Sequence, residues 1–140
     1  MIKIYSRIDK NLLIHTISLN IEGENEREDL TDTKMPMQIS RIKLKNSKKI
    51  KPHSHLLKQI NFDSVNQNEC WIVINGMIEV SLFDIDKTHL KTMNLHKGNI
   101  LFTSGGGHSI NNSSEDSEFI EVKLGPYEGN DLMYFKGPNE

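Results

Sequence analysis

The chain has 140 residues, a formal net charge of −2 and 26% charged residues. That length suits one domain, 1–140, able to bury a core without staples, and the dispersed charges lack the basic face that a nucleic-acid partner requires. The single cysteine, Cys70, excludes an internal disulfide; no window approaches the roughly 20 apolar residues of a membrane helix, and the start Met1-Ile2-Lys3-Ile4-Tyr5 is unlike a signal peptide, so the expected setting is cytoplasmic with no membrane partner.

Residues 2–5 and 11–18 are rich in β-branched or bulky apolar groups, and both read as strands. His15, alone in the second, reads as a satisfied or surface side chain. Residues 21–34 are acidic and lack apolar periodicity, as in a solvated loop or one helical turn. Residues 37–44 alternate imperfectly, as a strand does, and Asn46-Ser47 marks a turn. The basic run from Arg41 to Lys51 reads as a solvated edge and turn. Residues 49–55 form an extended piece whose Pro52 suits an edge, a bulge or a strand start.

After an irregular polar stretch, Glu69 to Ile74, Asn75-Gly76 and Met77 to Phe83 read as a hairpin. Asn-Gly suits a type I′ turn, whose two central residues need positive φ. Ile78, Val80 and Leu82 alternate with Glu79, Ser81 and Phe83. Residues 90–95, 100–102, 108–111 and 118–124 read as further strands. They are separated by turns at 84–87 and 96–98, a glycine-rich bend at 104–107 and a polar turn at 112–117; residues 131–136 offer one more short element. Short strands about 8–12 residues apart predict an all-β sandwich or barrel.

The chemistry concentrates on a few side chains. His53 and His55 are two apart, so on a strand they project to one face and can grip one ion. Glu69 opens the next clear strand and offers a carboxylate; His108 follows the glycine bend and offers a third imidazole. Such a set suits a divalent transition metal (Fe, Mn, Ni or Zn) with open positions for chemistry. Gln67, on the same face two residues before Glu69, is a substitute ligand or a substrate contact, and Asp63 a weaker substitute. Trp71 shares a face with Glu69 and either walls a pocket or packs in the core. Glu121 and Lys123 share a face opposite Ile120, Val122 and Leu124. Either the apolar face packs inward and the charges meet water, or the charges line the mouth of the barrel. Cys70 faces away from Glu69 and reads as an inert buried thiol.

The spacing resembles that of the cupin superfamily, whose first motif is His-x-His, a short gap, Glu, six residues and Gly. Here stand His53-x-His55 and Glu69, six residues, Gly76. The second motif is Gly, five residues, Pro-x-Gly, two residues, His, three residues, Asn. Here stand Gly98, five residues, Ser104-x-Gly106, one residue, His108, three residues, Asn112. The gap of 13 residues between His55 and Glu69 is longer than the usual three or four, Ser104 replaces the proline, and His108 comes one residue early. The ending Glu121-Val122-Lys123-x-Gly125-Pro126-Tyr127 is similar to that of small cupins of surface-polysaccharide and nucleotide-sugar clusters.

The resemblance implies a cupin double-stranded β-helix, a jelly-roll barrel, forming a homodimer. It implies a metal held by His53, His55, Glu69 and His108, acting on a small polar substrate such as a sugar or sugar nucleotide in an isomerase- or epimerase-like reaction. Glu121 is the expected base, with Tyr127 second, and Lys123, Trp71 and Gln67 contact the substrate. A non-catalytic sugar- or metabolite-binding module and an Fe-dependent dioxygenase are the alternatives.

Overall fold

Apolar residues recur at every second position in most of the strands, and this period sets the architecture. The computed structural model describes residues 1–20, 27–44, 49–56, 68–125 and 132–137. Among them are strands β1 (Ile2–Tyr5), β2 (Leu13–Ser18), β3 (Arg27–Asp29), β4 (Ser40–Ile42), β5 (Glu69–Asn75), β6 (Met77–Phe83), β7 (His89–His96), β8 (Ile100–Thr103), β9 (Gly107–Ser113) and β10 (Glu118–Lys123), and no helix. All pairings are antiparallel. A five-stranded sheet has the order β1-β2-β8-β5-β10, a three-stranded sheet the order β7-β6-β9, and β3 pairs with β4 alone. None of these sheets closes on itself.

The core lies between the two larger sheets. Ile17, Trp71, Val73 and Leu101 project from the five-stranded sheet and meet Ile78, Val80, Leu82 and Leu95 from the three-stranded one. The opposite face of the five-stranded sheet carries Cys70, Ile100 and Phe102. They pack with Leu30, and Met35, Met37 and Ile39 lie against that cluster. The segment around β3 and β4 thus covers the back of the large sheet, and Arg41 ties it there through the carbonyls of Ser18, Leu19 and Gly98.

Several expectations change. The acidic stretch predicted as loop or helical turn contains β3, because Arg27–Asp29 finds a partner in Ser40–Ile42. The strand expected over 37–44 is reduced to those three residues, and residues 49–56 form no strand. The predicted hairpin is not one. β5 and β6 belong to different sheets, so Asn75-Gly76 carries the chain across the sandwich. Only Gly76 has positive φ, +67°, so the type I′ turn is not formed. A Cβ on Gly76 would stand 2.7 Å from both Ser114 Oγ and Ser117 Oγ. The alternation holds, but it aims Val73 and Ile78 at each other across the core rather than along one sheet.

One polar tie crosses this apolar core. His15, fully buried on β2, has Nδ1 3.0 Å from Thr103 Oγ1 on its own sheet and Nε2 3.0 Å from the Phe83 carbonyl on the other. The carbonyl can only accept, so Nε2 carries the proton and Nδ1 accepts from the threonine hydroxyl. Burial, the largest influence, pushes the imidazole down to about 4. The unfolded chain therefore holds an extra proton between pH 6.5 and 4. Stability is full above pH 6.5 and falls as the pH drops toward 4, by up to about 3 kcal/mol from this group. Urea unfolding between pH 7 and 4 should show that fall. His15→Gln, which does not titrate, should flatten it, at a cost of about 1–3 kcal/mol at pH 7 for a buried bond left unmade.

Candidate functional site

The two sheets stand open between their edge strands, β9 on one and β10 on the other. A cleft of about 760 Å³ lies there. Its floor is polar: Glu69 and Trp71 from β5, His108 from β9, and Glu121 and Lys123 from β10. Phe83, Ile110 and the segment 132–137 supply apolar wall.

Two register shifts aim these side chains inward. On β10 the pairing passes from Glu118↔Asn75 to Phe119↔Val73, skipping Ile74. The strand beyond then runs Glu121↔Trp71 and Lys123↔Glu69, so both charged residues share the face of the cleft. Ile120 and Val122 turn outward, each 46% exposed. Of the two readings open in the sequence, the structure has the charges lining the mouth. On β9 the pairing passes from Glu79↔Asn112 to Val80↔Ile110, skipping Asn111, and His108 comes opposite Leu82 on the core face. A slip of one residue exchanges the faces of a strand, and such irregularities re-aim side chains beside functional sites.

The floor is one connected polar cluster. Trp71 Nε1–H donates to Glu69 Oε1, and His108 Nε2 lies 3.4 Å from the same oxygen. The Trp71 and His108 rings meet edge to face at 4.5 Å, and Lys123 Nζ is 3.3 Å from Glu121 Oε1. Burial works to raise the Glu69 carboxyl; hydrogen bonds with His108, Glu121 and Trp71, and the charge of His108, outweigh it and hold the group below the usual carboxylate range. His108 Nδ1 is buried with no hydrogen-bond partner among the described residues, and a buried nitrogen left so costs about 1–3 kcal/mol.

Glu69, Trp71, His108, Glu121 and Lys123 thus come together. His53 and His55 do not join them: both are exposed, their rings 5.3 Å apart, and His53 Nδ1 is engaged with the Lys51 carbonyl. Among the described residues no group of three or more His, Cys, Asp or Glu is placed to hold a metal ion. Gln67, Asp63 and Tyr127 lie outside the described residues. Cys70 is buried, its thiol pushed up to about 11 by burial and then by the Glu69 charge, which leaves it a poor nucleophile.

Three contributors escape sequence reasoning. Phe83 and Phe135 form an edge-to-face pair, 5.0 Å between centroids, that joins segment 132–137 to the cleft. Asn111 sits at the β9 register shift and donates from Nδ2 to Ser81 Oγ at 2.7 Å. Each depends on a contact distant in sequence, for which no local pattern exists; the spacing after His108 pointed to Asn112 and not to Asn111. The glycine bend is set by close packing rather than by backbone conformation. Gly106 and Gly107 have no positive φ; they are small because neighbours fill the space, a Cβ on Gly106 lying 2.5 Å from His15 Nε2 and one on Gly107 2.7 Å from Phe135 Cζ.

No protein-family model, curated protein or solved structure matches the chain. The site therefore rests on its own geometry. Because Glu69 is charged and hydrogen-bonded when folded, Glu69→Ala should cost roughly 1.5–3 kcal/mol at pH 7. A carboxyl held low when folded contributes above its unfolded value of 4.5 and loses that contribution as the pH falls. The gap between wild type and variant, read by urea unfolding, should narrow below pH 4.5.

Proposed function

We propose that the cleft is the active site of an enzyme that isomerises or epimerises a small polar molecule of the sugar type by moving a proton. The observation that carries this reading is the cluster in which His108 meets Glu69, Lys123 meets Glu121, and β10 sets Lys123 opposite Glu69 on the face of the cleft. Proton transfer next to a carbonyl needs a base within reach of the carbon acid and a charge beside the oxygen that becomes negative. Glu121, 41% exposed at the mouth, meets the first need, and the Lys123 ammonium beside it meets the second. Glu69 stays ionised below the mouth and accepts hydrogen bonds from the substrate's hydroxyl groups. Trp71 and His108 hold Glu69 in place.

The resemblance to cupins supports a finer reading of the fold. A jelly roll has eight strands in two facing sheets. The strands β5 to β10 divide between two such sheets, β5, β8 and β10 in one and β6, β7 and β9 in the other, with Glu69 and His108 meeting across them. The open edge of β9 is where a further strand would complete the smaller sheet.

That edge and the partnerless His108 Nδ1 favour a second, metal-dependent reading. If residues 49–56 pair along β9, His53 and His55 come beside His108, and with Glu69 they supply the donor set that suits a divalent transition metal. Such an ion would act as a Lewis acid on the substrate oxygen. The residues as placed do not form that set, so no step of the acid–base reading passes through a metal.

A panel of aldoses and ketoses incubated with the protein in deuterium oxide tests the proposal without knowledge of the product. Deuterium should enter at the carbon next to the carbonyl of at least one member, and Glu121→Gln should slow this by about 10²-fold or more. Binding without exchange, read from the single tryptophan, Trp71, would replace the enzyme by a binding module. Exchange should survive a chelator. Its loss, with recovery on adding Fe, Mn, Ni or Zn and none in His53→Ala/His55→Ala, would establish the metal-dependent reading instead.

A further inference from the structure

The cleft has a second half that the acid–base cluster does not use. Segment 132–137 lies along it with no strand of its own, and Phe135 anchors it. Phe135 sits edge to face on Phe83 and fits because Gly107 has no Cβ. Lys87 secures the anchor: its Nζ lies 5.8 Å from the Phe135 ring centroid and 3.1 Å from Met133 Sδ. The segment then presents Leu132, Met133 and Tyr134 to the cleft at 55%, 74% and 87% exposure. Three successive large apolar side chains left open beside a polar floor, on a segment held in place from the other side, make a surface that gains from being covered.

The charges on the lining limit what can cover it. Among the described lining residues the carboxylates are Glu69 and Glu121, the one lysine is Lys123, already 3.3 Å from Glu121, and no arginine is present. A phosphate group would enter a site whose lysine is already engaged and whose two carboxylates repel it.

We infer that the ligand is an uncharged molecule in two parts: a polyhydroxyl ring that meets the Glu69–Glu121–His108 floor, and a flat apolar group, such as an aromatic ring joined through a glycosidic oxygen, that lies against Tyr134 and Met133. This deepens the proposed function and rests on it for the polar half. The apolar half rests on the anchored segment alone. Tyr134 is the specificity-determining residue, and Phe135 and Gly107 are positioning residues that keep it at the cleft.

Quenching of Trp71, the single tryptophan at the floor of the cleft, reads the test. The probes are free hexoses, their phenyl glycosides and their 1-phosphates. At least one phenyl hexoside should bind about tenfold more tightly than its hexose, the upper range for one aromatic contact, and the 1-phosphate should bind no more tightly than the hexose. Tyr134→Ala, a change at an exposed position, should erase the tenfold advantage, so that hexose and phenyl hexoside bind alike. Phe135→Ala should do the same through loss of the anchor. Equal binding of hexose and phenyl hexoside, or an advantage that persists in Tyr134→Ala, would overturn the apolar subsite while leaving the acid–base cleft standing. Tightest binding by the 1-phosphate would overturn the uncharged ligand. Loss of deuterium exchange in wild-type assays, with the phenyl advantage intact, would remove the enzyme reading and keep this one.

Discussion

A single buried imidazole sets the distance between the two sheets at the end where the cleft opens. His15 is held by a hydroxyl on one sheet and a backbone carbonyl on the other, and a carbonyl cannot be exchanged for another group by drift in side-chain packing. Apolar contacts between sheets are tolerant of small slides; this pair of bonds is not, because in a dry interior a bond left unmade costs more than it contributes when made. The consequence passes along the bend. With the imidazole against the Phe83 carbonyl, residue 106 has room only for hydrogen. Residue 107 is next, and its missing Cβ admits Phe135. The same Phe83 thus gives its carbonyl to His15 and its ring to the terminal segment. A tie that serves stability also fixes one wall of the cleft.

The electrostatics of the floor follow from partial burial. Glu69 is 14% exposed and His108 20%, dry enough for a carboxylate to need partners and open enough for a ligand to reach them. The indole and imidazole supply those partners from the same face of the sandwich, since Trp71 is two residues from Glu69 on β5 and His108 faces it from β9. Glu121, at the mouth, keeps its own partner in Lys123. A held charge inside and a solvated ion pair outside leave the two carboxylates distinguishable.

Much of the fold was legible because strand alternation is a local property. β1, β2, β6, β8 and β10 fall close to where β-branched runs and turn residues place them. What alternation does not carry is the sheet to which a strand belongs. Asn75-Gly76 has the composition of a tight hairpin, yet the chain crosses the core there, and the glycine is needed because Ser114 and Ser117 are packed where a Cβ would stand. β3 was invisible for the opposite reason: Arg-Glu-Asp has no apolar signal and becomes a strand only because β4 and the N-terminal region lie beside it, the N-terminal amine reaching Glu28 at 3.5 Å. In the site, Glu69 and His108 were legible from their spacing. His53 and His55 were singled out by the same spacing, which requires a strand, and residues 49–56 form none.

The two register shifts explain why the remaining site residues could not be assigned to a face. If β10 continued the pairing that Glu118 begins with Asn75, Phe119 would oppose Ile74 and Ile120 would oppose Val73, so the apolar face would enter the core and the charges would meet water. Skipping Ile74 reverses this and brings Glu121 to Trp71. If β9 continued the pairing of Glu79 with Asn112, His108 would oppose Phe83 and leave the core face; skipping Asn111 returns it there. In each case a strand pattern that reads as ordinary alternation is turned over by one residue. The exchange has a cost, visible in Ile120 and Val122 left open to solvent. A fold selected for stability alone would keep the apolar face inside. The chain instead turns two charges and a histidine inward, on the two edge strands that border the cleft, and the two strands do so through separate shifts of register.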